Sequence, residues 1–153
     1  MRFLELKVPP PIVGFLIGAF MWLTASAVPT FDLILPRRNA IVLALLVAGV
    51  CVGMLGVVSF RRARTTVNPL TPEKSSCLVT SGIYRYTRNP MYLGMLLILL
   101  GWAVLLANIV AIIFLLVFIL YLKRFQIGPE EKALASVFDR DFATYRSKVR
   151  RWL

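Results

Sequence analysis

Between Leu78 and Gly94 the chain reads LVTSGIYRYTRNPMYLG, a run of hydroxyl, guanidinium, amide and phenol groups set between two intensely apolar regions. Thr80, Ser81, Tyr84, Arg85, Tyr86, Arg88, Asn89 and Tyr92 offer hydrogen-bond donors, positive charge and aromatic faces, the partners required by a ligand with both charge and a ring. Gly82 permits a tight turn or a close backbone approach. Asn89 followed by Pro90 marks a turn that opens a helix, because proline suits the first helical position. A second polar group, Glu130 and Glu131, follows one long apolar run later. If that run is a hairpin, both groups return to one membrane face, and carboxylates, donors and rings surround a single interfacial pocket. An amino-acid-like ligand has an ammonium group that seeks a carboxylate and a carboxylate that seeks donors, and aromatic faces further stabilise a sulfonium cation. S-Adenosylmethionine combines all of these with an adenine ring. The plainer readings are that tyrosine and arginine anchor a membrane boundary and that a glutamate pair complements the dipole at a helix start.

The elements that must position these residues are membrane helices. Of 153 residues 59% are hydrophobic, and the apolar runs are too long and too free of charge for a water-soluble core of this size. The expected fold is all-α, a polytopic membrane protein in a single domain over residues 1–153. A net charge of +11 could signal nucleic acid. The basic residues sit beside apolar spans, however, where the positive-inside bias accounts for them, so no nucleic-acid partner is expected. With no histidine, and with Cys51 in an apolar span and Cys77 in the polar segment, neither a metal site nor a disulfide is expected. Pro9, Pro10 and Pro11 interrupt the passage from the charged start to the apolar run, which argues against a cleavable signal.

Pro11 to Val28 is the first expected span, with Trp22 near a boundary and Gly14 and Gly18 as a small-residue pair. Ala40 to Phe60 is the second, with Gly49, Gly53 and Gly56 suited to close helix packing. The connection between them carries Asp32, Pro36, Arg37 and Arg38, and the stretch after Phe60 leaves the membrane through Arg61, Arg62, Arg64, Pro69, Pro72, Glu73 and Lys74. Met91 to Leu122 carries no charge, and as one helix it would measure roughly 48 Å, well beyond a hydrocarbon core of about 30 Å. A hairpin turning near Asn108 is expected instead, with arms Met91 to Leu106 and Ile109 to Phe125. Four spans place every basic residue except Arg37 and Arg38 on one side, which favours both termini in the cytoplasm. Pro129 to Leu153 reads as an amphipathic helix with Leu134, Phe138, Phe142, Tyr145, Val149 and Trp152 on its apolar stripe, expected to rest on anionic membrane lipids.

The central stretch, the apolar hairpin and the following EEKALASVFDRDFATYRSKVRRW resemble the isoprenylcysteine carboxyl methyltransferase and phospholipid methyltransferase group of integral-membrane enzymes. The group's Gly-x-Tyr…Arg-His-Pro-x-Tyr-x-Gly pattern appears as Gly82, Tyr84, Arg88, Asn89, Pro90, Tyr92 and Gly94. Its Glu-Glu-x-x-Leu pattern appears as Glu130, Glu131 and Leu134, and its Phe-Gly-x-x-Tyr-x-x-Tyr tail as Phe138, Asp139, Phe142 and Tyr145. The resemblance covers about Ser76 to Trp152, half the chain. It implies a cytoplasm-facing S-adenosylmethionine site built from residues 76–94 and 126–145. Ser76, Cys77, Leu78 and Val79 are then expected to line the cofactor largely through their backbone. Gly82, Tyr84, Asn89, Pro90, Met91, Tyr92 and Gly94 complete the pocket, and Glu130 holds the cofactor's amino group with Glu131 in support. The resemblance further implies a lipophilic acceptor that enters from the bilayer. A bacterial or archaeal cell membrane is the expected location, and small-residue faces leave packing within one chain or between chains equally open.

Two departures bear on mechanism. The motif histidine is Asn89, which donates a hydrogen bond but neither acts as a general base nor carries charge, so a mechanism that needs an imidazole is excluded. Gln126 falls where the carboxyl methyltransferases have an arginine near the acceptor carboxylate, so a substrate-binding role is expected at Gln126 with a weaker case for a carboxylate acceptor. Methyl transfer from a sulfonium is an in-line displacement that asks the protein for alignment and removal of water. Arg88, Asn89, Tyr92 and Glu131 are the expected catalytic set, and Glu130, Glu131 and Tyr92 the candidates to accept a proton. An NADPH-dependent sterol-type reductase, with Arg61, Arg62 and Arg64 answering the extra phosphate, and a non-enzymatic membrane adaptor with a basic lipid-binding face are the alternatives.

Overall fold

Residues 5–27, 36–64 and 76–153 are described by the computed structural model, and every regular element among them is helical. Helix α1 spans Pro10–Ala27, α2 Arg38–Arg62, α3 Pro90–Leu106, α4 Ile109–Tyr121 and α5 Gly128–Lys148, with a 3-10 turn at Gly82–Arg85 ahead of α3. Helices α1, α2 and the continuous helical run Ile109–Lys148 are long and apolar enough to cross a membrane, and α3, of 17 residues, is a shorter apolar helix. Phe15, Leu43, Val50, Ile113 and Leu120 face outward and give these helices an exterior suited to lipid. Arg2, Val28 at the end of the first expected span, Asp32, and Pro69, Pro72, Glu73 and Lys74 lie outside the described residues. Cys51 and Cys77 are both free thiols.

The hairpin turns where the sequence places it. Ala107 adopts a left-handed conformation at φ 50, and the Asn108 side chain accepts from the Val110 N–H at 2.8 Å, which satisfies one donor of the first turn of α4. Helix α2 is longer than expected at both ends and closes on Arg61 and Arg62, whose charges complement the carbonyl end of the helix.

The second arm departs from expectation. It does not stop at Phe125 to let a new helix start at Pro129; the helix runs on, widening into a π turn over Leu122–Ile127 where the Gly128 N–H reaches the Lys123 carbonyl. Proline has no N–H for the carbonyl four residues earlier, and its ring crowds that carbonyl, so a widened turn is a way to carry Pro129 through. The carbonyl concerned belongs to Phe125, and it accepts instead from the Leu6 N–H at 3.0 Å. Glu130 and Glu131 therefore sit within a long helix rather than at a free helix start.

The far end of α5 also differs. The helix ends at Lys148 rather than continuing to Leu153, and Val149 is extended. Asp139 interrupts it at φ 31 and ψ −103, a conformation that favours glycine. Its apolar stripe is covered by protein: Phe142 and Tyr145 are buried with Val79 and Tyr84, and Leu134, Phe138 and Val149 pack around them. Trp152 packs on the main core, where Val13, Ile17 and Met21 of α1 meet Leu99 and Ala103 of α3 and Leu115 and Phe118 of α4.

The closest helix contact is α2 on α3. A Cβ on Gly94 would lie 2.5 Å from the Gly49 carbonyl oxygen and 2.9 Å from the Gly53 nitrogen, so the two backbones touch at this crossing. Gly56 likewise admits Met91 and Pro90. The expected small pair in α1 makes no such approach, since added Cβ atoms at Gly14 and Gly18 would find ordinary contacts at 4.0 and 3.7 Å. Gly94→Ala is therefore expected to destabilise the protein by about 1–3 kcal/mol through overpacking, whereas Gly53→Ala, whose Cβ meets nothing within 4 Å, holds or raises the melting temperature. Equal melting temperatures for the two variants in detergent would contradict this crossing. Asp139→Gly removes a positive-φ penalty and is expected to stabilise by roughly 1 kcal/mol, with Asp139→Ala showing no gain.

Candidate active site

Gly82 opens the polar stretch at φ 62, where a Cβ would lie 2.8 Å from Ser59 Oγ, so glycine lets the 3-10 turn sit directly on α2. The turn carries Tyr84, which is buried, and Arg85 and Tyr86, which are exposed. The chain then bends through Thr87, Arg88 and Asn89 into α3, with Pro90 in its first turn. The Asn89 N–H donates to Thr87 Oγ1 at 3.2 Å, and the Asn89 O accepts from the Leu93 N–H at 2.9 Å.

Two carboxylates divide the chemistry. Tyr92 Oη donates to Glu130 Oε2 at 3.0 Å, and Glu130 has no salt bridge among the described residues. Burial of the Glu130 carboxyl raises its pKa, the Tyr92 hydrogen bond opposes that rise and the neighbouring Glu131 adds to it, the result being pushed up to about 7. Glu131, one residue on, is held by two guanidinium groups. Arg88 Nη2 lies 2.9 Å from its Oε1, while Arg151 donates through Nε to Oε1 at 3.1 Å and through Nη2 to Oε2 at 2.6 Å. Arg88 Nε is buried and has no partner among the described residues.

The expected cofactor segment faces a different opening. Ser76, Cys77, Leu78 and Thr80 line an open cleft of about 760 Å³, closed on its other side by Phe138, Asp141, Thr144, Tyr145 and Lys148 of α5 and by Val149, with Arg85 at its edge. That volume falls within the range of small-molecule sites. Val79 is buried with Tyr84, Phe142 and Tyr145. Tyr145 joins the two regions, because its ring walls the cleft and its hydroxyl donates to the Tyr84 carbonyl at 2.7 Å. Tyr84 in turn is close enough to feel the Glu130 charge. Its phenol pKa is raised first by burial and then by that carboxylate, and burial raises that of Tyr145 as well.

The remaining expected site residues have structural partners. Asn89 donates through Nδ2 to the Arg151 carbonyl at 2.9 Å, a role that needs one donor, so asparagine fills it without an imidazole. Gly82 and Gly94 face Ser59, and Gly49 and Gly53, on α2, and Pro90 and Met91 pack against Gly56. Gln126 is fully buried and donates through Nε2 to the Val8 carbonyl at 2.6 Å, which ties the N-terminal segment to the π turn; its Oε1 has no partner among the described residues. Arg151 and Thr87, whose Oγ1 donates to the Arg151 carbonyl at 3.2 Å, are site residues that the sequence reading missed. Their partners are distant in sequence, and no local spacing signals such a pairing.

The folded pKa of Glu130 is raised above its ordinary value of 4.5, so the bound proton stabilises the fold fully below that value and the contribution is lost as pH rises through about 7. Glu130→Gln, neutral at every pH, is therefore expected to melt higher than wild type above pH ~7, with the difference vanishing below pH ~5. A difference that stays constant across that window in thermal melts would contradict the burial of this carboxyl.

A phospholipid methyltransferase family model matches residues 38–141, which run from α2 into α5. The chain is 48% identical over 63 residues to an uncharacterised protein of Haemophilus influenzae, covering 41% of this chain and 100% of that one. It is 42% identical over 80 residues to a protein-S-isoprenylcysteine O-methyltransferase of Schizosaccharomyces pombe, 50% of this chain and 33% of that enzyme. It is 34% identical over 110 residues to a probable protein-S-isoprenylcysteine O-methyltransferase of Oryza sativa subsp. indica, 70% of this chain and 56% of that protein. The chain thus spans between a third and just over half of those two named proteins. No solved structure matches it. With the family match extending over α2, the polar turn, α3, α4 and both glutamates, the chain belongs to the phospholipid methyltransferase family.

Proposed function

We propose that the chain is an S-adenosylmethionine-dependent methyltransferase that acts on a lipophilic acceptor at a membrane interface. Four spans, with α3 and α4 as a hairpin and the amphipathic α5 continuing from α4 on the cytoplasmic side, fit the confinement of almost all lysine and arginine to one side. The observation that carries the reading is the half-buried Glu130. It is a carboxylate with no cationic partner among the described residues, bonded to the Tyr92 hydroxyl and near the Tyr84 ring. A carboxylate so placed calls for a cation, and aromatic faces beside it suit an ammonium or sulfonium group. Arg88 Nε, a buried donor without a partner among the described residues, answers a ligand carboxylate, so the site offers both halves needed by an amino-acid end. The cleft against Ser76, Cys77 and Leu78 supplies space for a nucleoside.

When bound, the cofactor supplies a sulfonium-activated methyl group, and the protein's own part is alignment and exclusion of water. Glu130 holds the positive end of the ligand, Tyr92 orients Glu130, and the Tyr145 hydroxyl on the Tyr84 carbonyl joins the Glu130 region to the cleft. With Glu131 fixed by two guanidiniums, Glu130 is the carboxylate left to meet the cationic end of the ligand. The names of the matched relatives point to lipidated cysteine as one acceptor class and the family to phospholipid as another. The family match favours this reading over a sterol-type reductase or an adaptor.

Incubation of protein in lipid nanodiscs with methyl-labelled S-adenosylmethionine and a panel of phosphatidylethanolamine, an isoprenylated cysteine, a quinone precursor and a small thiol is expected to move label into one acceptor. Glu130→Ala is expected to weaken S-adenosylhomocysteine binding in calorimetry roughly 10- to 100-fold, the effect of one charge-assisted hydrogen bond of about 1.5–3 kcal/mol. Absence of both label transfer and adenosyl-ligand binding in folded protein would refute the reading.

A further inference from the structure

The segment after α5 is built into the site. Beyond Lys148 the chain leaves the helix, Val149 is extended, and the carbonyls that follow land on the polar turn: Arg150 O accepts from the Arg88 N–H at 3.1 Å, and Arg151 O accepts from Thr87 Oγ1 at 3.2 Å and Asn89 Nδ2 at 2.9 Å. The Arg146 carbonyl, in the last turn of α5, accepts from Arg88 Nη1 at 3.2 Å. The Arg151 side chain then forks onto both oxygens of Glu131, and Trp152 is packed against the main core. These residues lie past residue 141, where the family match ends.

We propose that Arg151 is a positioning residue of the site: from an extended strap beyond α5 it fixes Glu131 and the Thr87–Asn89 turn, and so leaves Glu130 as the carboxylate that exchanges a proton or meets a cation. Glu130 and Glu131 are neighbours on one helix, and a Glu131 charge less fully compensated, with Arg88 alone, would work against ionisation of Glu130. A forked guanidinium with Nε and Nη2 on separate oxygens fixes both the charge and the orientation of Glu131, which a lysine ammonium would do less well. The groups that bear on Glu130 are Tyr92 from α3, Tyr84 from the 3-10 turn and Glu131 on its own helix, the last facing Arg88 and Arg151.

The proposal rests on the methyltransferase reading only for the identity of the cation, and its test needs no cofactor. The full chain in nanodiscs is titrated by infrared spectroscopy of the carboxylic-acid band, assigned through its loss in Glu130→Gln. Arg151→Gln is expected to move the midpoint upward by at least half a pH unit, about a threefold gain in proton affinity, and to have no further effect in a Glu131→Gln background. The acid limb of S-adenosylhomocysteine binding is expected to move with it. A folded Arg151→Gln with the wild-type midpoint overturns the proposal. Should that variant not fold, Arg151→Lys, which keeps the charge but loses the fork, decides the matter: a smaller upward shift upholds it and an unmoved midpoint overturns it. A wild type that binds no adenosyl ligand removes the methyltransferase reading while leaving the midpoint test intact.

Discussion

One carboxylate shared by two guanidiniums ties the polar end of this molecule together. Glu131 of α5 meets Arg88 from the turn before α3 and Arg151 from beyond α5, so three segments distant in sequence are joined at a single residue. The Arg88 and Glu131 side chains are only 10% and 12% exposed. At such burial, removal of Glu131 leaves the Arg88 charge uncompensated and costs about 3–5 kcal/mol, far more than the loss of a surface pair. The same logic explains why Thr87 and Asn89 spend their donors on the strap carbonyl of Arg151. Next to hydrocarbon, polar groups must find partners within the protein. Glu130 stands out because it is bonded to the neutral Tyr92 hydroxyl and has no salt bridge among the described residues.

The helices set the geometry that makes this possible. Contact of the Gly94 backbone with Gly49 and Gly53 brings α3 against α2 and fixes the height at which Tyr92, near the start of α3, emerges. On the other side the π turn over Leu122–Ile127 carries Pro129 through a continuous helix and changes the face that α5 presents afterwards. Groups released or exposed by that widening are used by residues near the chain start: the Phe125 carbonyl takes the Leu6 N–H, and the Gln126 amide takes the Val8 carbonyl. Gln126 thus acts as a structural tether at the position where the resemblance implied a contact with the acceptor.

Much of this was legible in the sequence because membrane constraints are strong. The charge-free run from Met91 to Leu122 is too long for one crossing, and Asn108 is the polar residue that caps the returning helix, so the hairpin follows from length and hydrogen-bonding need. The pairing of Glu130 with Tyr92 was legible only as proximity of two motifs. What escaped was set by tertiary contact. The stripe Leu134, Phe138, Phe142 and Tyr145 has the same period whether it lies on lipid or on Val79 and Tyr84, so periodicity did not distinguish the two. Gly94 satisfies a motif and a helix crossing equally well on paper. Arg151 falls inside the expected helix Pro129 to Leu153, whereas the helix stops at Lys148 and Arg151 turns back on Glu131.

The central claim is that Glu130, set apart by the pairing of Glu131, is where this protein holds the cationic end of its cofactor. The most direct measurement is an experimental structure of the full chain in lipid with S-adenosylhomocysteine bound. The account predicts the ligand amino group within about 3 Å of the Glu130 carboxylate, its adenosine along Ser76, Cys77 and Leu78, and the Arg88, Glu131 and Arg151 pairing intact. A ligand bound elsewhere, with Glu130 still bonded only to Tyr92, would contradict it.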